Sequence, residues 1–174
     1  MILIISSSLS SDSNSRLLAV ETQRVLRADG HAAALLDLRE YPLPLCDGGA
    51  AYADANVARV NEQLHAADAI VIATPIYNYD ATGAIKNLIE LTGDAWENKV
   101  VGFLCAAGGM SSYMSIMALA NSLMLDFRSV IVPRFVYATG AAFAEGRIAD
   151  SSVRERVAEL AALTVRLSGA LKAA

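Results

Sequence analysis

Short apolar runs alternate with segments of helical periodicity along this chain, and that alternation most restricts its fold. The apolar runs cover 1–5, 32–38, 69–74, 100–105 and 130–136, and the helical segments cover 14–29, 55–67, 82–92, 113–124 and 152–172. Strands that alternate with helices form a parallel sheet with helices on both faces. Because the runs are continuously apolar, both faces of the sheet are expected to be covered. The pattern predicts an α/β fold.

Five strands and five helices in 174 residues predict a single three-layer, doubly wound domain over 1–174. Two strand orders are compatible with this count, a Rossmann-like order and the flavodoxin-like order 2-1-3-4-5. In the second order the chain reverses after strand 2, which makes strands 1 and 3 neighbours. Ligands bind at such a switch point, beyond the carboxyl ends of the strands. The loops after Ile5, Thr74 and Cys105 are therefore the candidate site.

Composition excludes several classes of protein. The net charge of -4 disfavours nucleic acid and anionic membranes as partners, since both require clustered positive charge. The longest apolar or glycine run, Val100–Met110, is too short to cross a bilayer at about 20 residues per span. Residues 1–5 have no basic flank typical of a signal peptide, and two cysteines form no disulfide framework. A cytoplasmic chain without a metal site is expected.

The loop after the first strand is rich in hydroxyl groups. Residues 6–16 contain seven serines and no glycine, which disfavours both the P-loop and the G-x-G-x-x-G dinucleotide fingerprint. Hydroxyls, backbone N–H groups and the N-terminus of a helix can bind phosphate without a metal. Arg16 can add a charged hydrogen bond. We interpret this loop as a phosphate site; the alternative is that its serines only cap the helix.

The loop after the third predicted strand combines a proline, two tyrosines and an amide. Pro75 lacks an N–H and is expected to end strand pairing, which frees the following backbone to face a ligand. Tyr77 and Tyr79 offer aromatic surface, and Asn78 can pair with the edge of a ring. Gly83 allows the next helix to begin close to neighbouring backbone.

These two loops carry a family resemblance. The run Pro75-Ile76-Tyr77-Asn78 with 83–87 resembles the P-x-Y-N-x4-G-x-[LI]-K-N signature of the NADPH-dependent FMN reductase family. The serine loop is similar to that family's G-S-x-R-x-x-S-x-N-R phosphate loop. The positions that match its spacing are Ser8, Ser10, Ser13, Ser15 and Arg16.

The resemblance implies a flavodoxin-like fold with a five-stranded parallel sheet in the order 2-1-3-4-5, and FMN as cofactor. It implies that NADPH or NADH gives a hydride to FMN, which then reduces free flavin, a quinone, an azo dye or a metal oxyanion. The chemistry belongs to the cofactor, so no catalytic side chain is expected. Ile76 is similar to the residue of those members that supply reduced flavin to a monooxygenase, so such a partner is also implied.

The third loop contains paired glycines. Gly108 and Gly109 allow close approach of backbone to a flat ring, and the resemblance implies that Ala107, Gly108 and Gly109 contact the flavin there. A plain Gly-Gly turn is the alternative. Cys105, just before this loop, is interpreted as a small buried hydrophobic residue rather than a redox thiol.

The segment 113–124 carries no charge and lies in the stretch that holds four of the five methionines. A surface helix of a monomer normally has a polar face. We therefore predict that this helix is a subunit interface, and the family resemblance implies a homodimer or homotetramer. Burial beneath the chain's own loops is the alternative.

Two other functions compete with the reductase. A flavodoxin-type electron carrier shares the fold but is typically more acidic and flanks its ring with large aromatic residues, whereas this chain has one tryptophan, Trp96. A small α/β hydrolase would need the G-x-S-x-G turn and a suitably placed histidine, and the sequence contains neither.

Overall fold

The computed structural model describes residues 1–173. The strands within this range are β1 (Ile2–Ser6), β2 (Ala33–Asp37), β3 (Ala69–Tyr77), β4 (Asp80–Ala81), β5 (Val100–Ala107), β6 (Val130–Ile131), β7 (Val136–Thr139), β8 (Phe143–Ala144) and β9 (Arg147–Ile148). The α-helices in the same range are α1 (Asn14–Ala28), α2 (Ala55–Ala66), α3 (Gly83–Thr92), α4 (Met117–Phe127) and α5 (Ser151–Ala173).

The central sheet confirms the predicted flavodoxin-like order. Its strands run β2-β1-β3-β5-β6, with β7 also paired to β5, and these pairs are all parallel. β1 ends with Ser6 opposite Ala73 of β3, and Ala73 lies opposite Leu104 of β5. The carboxyl ends of the three strands therefore lie side by side, which brings the three predicted loops to one edge of the sheet.

The sheet has seven strands where five were predicted, and the difference has two sources. The short strand β4 adds an antiparallel hairpin to β3, and the predicted strand 130–136 is broken into β6 and β7. Ile131 lies opposite Val101 and Val136 opposite Leu104, so residues 132–135 face only residues 102–103. Pro133 has no N–H for the ladder, and Arg134 has a left-handed φ of 59°. The chain therefore leaves the ladder at this point.

Helices cover both faces of the sheet, as predicted. On one face α1 and α5 pack on the sheet through Leu18, Leu26, Val153 and Val157. On the other face α2, α3 and α4 contribute side chains to a second core. These side chains are Val60, Leu64, Ile85, Leu88, Leu119 and Leu123. In the middle of β5, Gly102 admits α5 closely: a Cβ there would lie 3.4 Å from both Leu160 and Thr164.

Two element boundaries differ from prediction in ways that affect function. The uncharged helix begins at Met117 rather than 113, because residues 110–116 form a short 3-10 helix and turns, and it continues through Asp126 to Phe127. The helix is therefore not free of charge over its whole length. Its end is set by Arg128, whose left-handed φ of 55° stops the helical path.

Candidate functional site

The serine loop between β1 and α1 is folded by its own hydroxyl groups. Ser8 Oγ accepts from the N–H of Ser10 at 3.3 Å, Ser10 Oγ accepts from the N–H of Asp12 at 3.3 Å, and Ser13 Oγ caps α1 by accepting from the N–H of Arg16 at 3.2 Å. In each bond the serine oxygen is the acceptor. Since a hydroxyl also carries one donor hydrogen, Ser8 and Ser10 can each still donate a hydrogen bond to an anion.

The first turn of α1 adds backbone donors. The N–H groups of Arg16 and Leu17 are bonded to Ser13, whereas those of Asn14 and Ser15 find no acceptor among residues 1–173. Free N–H groups and the positive end of the helix dipole together favour an anion. Asn14 and Ser15 both line a cavity in front of the helix.

Arg16 does not line that cavity. Its Nε donates to Oδ2 of Asp37 at the end of β2, at 2.8 Å, and Arg39 Nη2 donates to the same oxygen at 2.7 Å. The Asp37 side chain is only 3% exposed. Burial by itself would raise the pKa of Asp37, but the hydrogen bonds from Arg39 and Arg16 outweigh it and hold the pKa below its usual value. The phosphate contact predicted for Arg16 stays a prediction, and its guanidinium has a structural partner.

The second loop is a tight hairpin between β3 and β4. Ile76 pairs with Ala81 and Tyr77 with Asp80, which leaves Asn78 and Tyr79 as the two turn residues, both with positive φ (51° and 64°). Two such residues form a type I′ turn. The left-handed conformation is tolerated by asparagine but costs a tyrosine about 1 kcal/mol or more. The turn therefore places strained backbone beside the cavity.

The expectation that Pro75 ends strand pairing is wrong. β3 continues to Tyr77, and Pro75 lies opposite Ala106 of β5. A proline is compatible with the strand here because β1 has already ended opposite Ala73. Beyond that point one side of β3 has no neighbouring strand that needs the missing N–H.

Buried hydroxyls connect the first two loops. Thr82, the N-cap of α3, donates its hydroxyl to Ser7 Oγ at 3.3 Å, and its N–H donates to Thr74 Oγ1 at 3.4 Å. Asn87, the last residue of the 83–87 signature, instead holds the chain at 44–46. Its amide nitrogen donates to Pro44 O at 2.9 Å and its amide oxygen accepts from the Cys46 N–H at 2.8 Å. Asn87 therefore has a structural role that its place in the motif does not reveal.

The third loop contributes Ala106, Ala107 and Gly108 to the cavity. Gly109 faces away, and its carbonyl accepts from the Tyr137 hydroxyl at 2.6 Å. A Cβ at Gly108, or at Gly140 beyond the end of β7, would have no protein atom within 4 Å. Both glycines therefore border open space that a side chain would fill.

Together the loops enclose a cavity of about 680 Å³, within the range of about 300–1,000 Å³ typical of small-molecule sites. Ten of the twelve predicted cofactor residues line it, all except Arg16 and Gly109. The lining residues are Ser8, Ser10, Asp12, Ser13, Asn14, Ser15, Pro75, Ile76, Tyr77, Asn78, Ala106, Ala107, Gly108 and Gly140.

The sequence reasoning missed four of these residues: Asp12, Asn14, Ala106 and Gly140. Asn14 could have been found, since it begins α1 directly behind the serines. Gly140 could not, because it reaches the site only as a result of how β7 pairs with β5 after the break between β6 and β7. Cys105 is fully buried, as expected, and burial raises the pKa of its thiol to about 12. The thiol is therefore protonated at neutral pH and unsuited to nucleophilic or redox chemistry.

Comparison with known proteins places the chain among flavin reductases. The family model for NADPH-dependent FMN reductase matches residues 1–144. An NAD(P)H-dependent FAD/FMN reductase of Geobacillus thermodenitrificans is 37% identical over 142 residues, which cover 79% of this chain and 76% of the relative. An NAD(P)H-dependent FMN reductase of Pseudomonas aeruginosa is 32% identical over 136 residues, 74% of each chain.

A solved structure with the same fold is the flavoenzyme NAD(P)H:acceptor oxidoreductase FerB of Paracoccus denitrificans. The TM-score is 0.78 at 21% identity, and the match covers 97% of this chain and 96% of that one. The likeness confirms the fold of a parallel sheet with helices on both faces.

Proposed function

The chain belongs to the NADPH-dependent FMN reductase family, and we propose that the serine-lined cavity is where it binds FMN. The observation that carries this proposal is the meeting of two different surfaces in one cavity. One end offers the O–H groups of Ser8 and Ser10 and the free N–H groups of α1, as a phosphate requires. The other end lies between the β3–β4 hairpin and the segment 106–108.

The residues present fit this cofactor. The phosphate end needs no metal, because the donors and the helix dipole are both directed at the anion. At the ring end, Gly108 and Gly140 leave open space that side chains would fill. The backbone of Pro75–Asn78 and the amide of Asn78 can pair with the polar edge of a flavin ring.

This assignment divides the work between protein and cofactor. Hydride transfer from NAD(P)H and electron delivery to an acceptor are chemistry that bound FMN supplies. The chain's own part is to hold the phosphate, orient the ring and leave one ring face open. Tyr77, which lines the cavity and is 57% exposed, stands where the nicotinamide and the acceptor would enter in turn. Neither step requires a titrating side chain, which agrees with the protonated, buried thiol of Cys105.

The electron acceptor and the cellular location are further parts of the proposal. We propose that the acceptor is free flavin, a quinone, an azo dye or a metal oxyanion. Ile76 in the second loop supports a flavin-dependent monooxygenase as the recipient of reduced flavin. A cytoplasmic location fits the supply of NAD(P)H and the free thiols of Cys46 and Cys105. Over residues 1–173, no helix combines the length and apolar character that a bilayer crossing demands.

Steady-state turnover tests the proposal against electron carriage without nicotinamide turnover. With catalytic amounts of protein and FMN, and a quinone or oxygen as acceptor, we expect NADPH or NADH oxidation to exceed the molar amount of bound flavin many times over. Oxidation that stops at one equivalent would indicate a carrier. Trp96, the chain's one tryptophan, is fully buried with its Nε1 bonded to Thr92, so Tyr77 is the aromatic residue that lines the cavity.

Asp12 opposes phosphate binding, and its removal is expected to strengthen it. Asp12 lines the serine end of the cavity, where its negative charge would repel a phosphate dianion. We expect Asp12→Asn to lower the Kd for FMN about threefold at low salt, with a smaller gain at high salt because salt screens the repulsion. Isothermal titration at two ionic strengths measures both.

Asp29→Asn is the matched control for this variant. Asp29 is an exposed carboxylate at the far end of the same helix, so the substitution changes the net charge equally. A gain in affinity that is equal in both variants would show a general charge effect and remove Asp12 from the site.

We also propose that the protein is a homo-oligomer joined through α4 and the turns before it. Four methionines there are exposed, Met110, Met114, Met117 and Met124, together with Leu125 at 77% exposure. The buried side of the helix is accounted for by Leu119, Ala120 and Leu123. The outer side therefore presents apolar surface that a second copy of the chain would cover.

Met117→Glu is expected to separate the subunits, because burying an unpaired carboxylate in an apolar interface costs several kcal/mol. Light scattering at micromolar concentration should report a fall in mass to that of a smaller assembly. Val20→Glu on α1 is a control of similar exposure on the opposite face of the sheet. A Met117→Glu protein that keeps the wild-type mass would place the interface elsewhere.

A further inference from the structure

Residues 108–116, between β5 and α4, form a segment that borders the cavity through Gly108 and ends at Ile116, which is fully buried in the core. Its backbone hydrogen bonds are local, from Tyr113 N to Met110 O, Ser115 N to Ser112 O and Met117 N to Met114 O. A hydrogen bond from the Tyr137 hydroxyl to Gly109 O, at 2.6 Å, ties the segment to β7.

Tyr137 is held rigidly at its own end. It lies opposite Cys105 in the β5–β7 ladder, and the tyrosine is only 4% exposed. Its ring meets the edge of Tyr113, a residue of the segment, with centroids 5.4 Å apart, and Tyr113 in turn packs on Phe135 at 5.0 Å. A residue whose position is fixed by sheet register and aromatic packing can fix the position of the backbone to which it is hydrogen-bonded.

The break between β6 and β7 decides which residue lies opposite Cys105. Two extra residues between β6 and β7 leave the side of the sheet that each residue faces unchanged, but they bring Tyr137 instead of Phe135 opposite Cys105. The hydroxyl then reaches the carbonyl that follows Gly108. Burial raises the pKa of Tyr137, so the phenol remains a hydrogen-bond donor at neutral pH.

We propose that Tyr137 is a positioning residue, which holds the 108–116 segment so that Gly108 meets the ring of the flavin. The inference rests on the proposed FMN site and adds a residue outside the cavity lining to it. It assigns the hydroxyl to ligand geometry rather than to overall stability. The ring of Tyr137 packs in the core, and its hydroxyl oxygen positions the segment beside the site.

Tyr137→Phe separates these two roles, because it keeps the ring and removes the hydrogen bond. We expect the Kd for FMN to rise about threefold to tenfold, as for the loss of one such bond. The Kd for riboflavin should rise by the same factor, since the defect lies at the ring end. In the protein without flavin, amide hydrogen exchange should accelerate in 108–116 and stay unchanged in α5.

Tyr41→Phe is the matched control. Tyr41 Oη accepts a hydrogen bond from Gln63 Nε2 at a distance of 3.4 Å, and Tyr41 does not line the cavity. It should alter neither Kd. Wild-type protein that binds no flavin would refute the FMN site itself. Wild-type binding with an unchanged Kd in Tyr137→Phe would overturn only the positioning role. A Tyr137→Phe protein that unfolds, or melts more than about 10 °C lower, would assign the hydroxyl to the global fold and also overturn the proposal.

Discussion

Replacing Ser13 by aspartate is expected to weaken FMN binding by about a hundredfold while the protein stays folded. Aspartate caps helices as well as serine does, so α1 should begin normally. The new carboxylate would lie in the cavity, where Ser13 now stands, and repel the phosphate dianion by several kcal/mol in a partly desolvated site. Titration of the flavin fluorescence measures the Kd.

Riboflavin makes this result specific to the phosphate. It has the same ring but no phosphate, so its Kd should change little in Ser13→Asp. Ser13→Asn, which caps the helix without a charge, should bind FMN much more tightly than the aspartate variant. If FMN and riboflavin lose affinity equally, the serine loop does not hold the phosphate.

Replacing Asp37 by asparagine is expected to lower the free energy of unfolding by about 2 kcal/mol at neutral pH. The carboxylate is nearly fully buried and accepts hydrogen bonds from Arg16, Arg39 and the N–H of Arg39. The amide keeps the shape but leaves two guanidinium groups without a counter-charge. The two arginine side chains are 35% and 29% exposed, so solvent screens part of the loss.

The effect of Asp37→Asn should depend on pH in one direction. The pKa of Asp37 is lower in the folded protein than in the unfolded chain, so its stabilisation is complete above the unfolded value of about 3.9. As the pH falls from there through the folded-state pKa, the carboxylate is protonated and the stabilisation is lost. Urea unfolding of both proteins at pH 7 and below pH 4 should show the gap closing. A gap that persists at low pH would mean that packing, not charge, explains it.

The parts of the fold that follow from local pattern could be predicted. Strand order and the meeting of three loops depend on apolar periodicity and on connection rules, and the family motif in 75–87 pointed to the end of the cavity that we propose holds the ring. The break at Pro133-Arg134 was missed because the run 130–136 is mostly apolar, and the break shows only in how the run pairs with Val101 and Leu104. Apolar periodicity alone does not determine which residues of two paired strands lie opposite each other.

The partner of Arg16 was missed for a related reason. Beside the serines, a lone arginine resembles a phosphate ligand, but Asp37 lies 21 residues away and meets it only because β2 pairs with β1. Gly140 likewise enters the cavity through the end of β7. Arg16 and Gly140 are therefore positioned by contacts between distant segments, whereas the missed Asp12, Asn14 and Ala106 adjoin residues that were predicted.

The most direct test of the account is to add FMN and then NAD(P)H to the purified protein in one anaerobic cuvette while the visible spectrum is recorded. We expect the flavin bands to shift as FMN binds, and then to bleach as NAD(P)H is oxidised in equal amount. Ser13→Asp at the same FMN concentration should show neither change. Flavin bands that neither shift nor bleach in the wild-type protein, even with excess FMN, would contradict the assignment of this cavity to FMN.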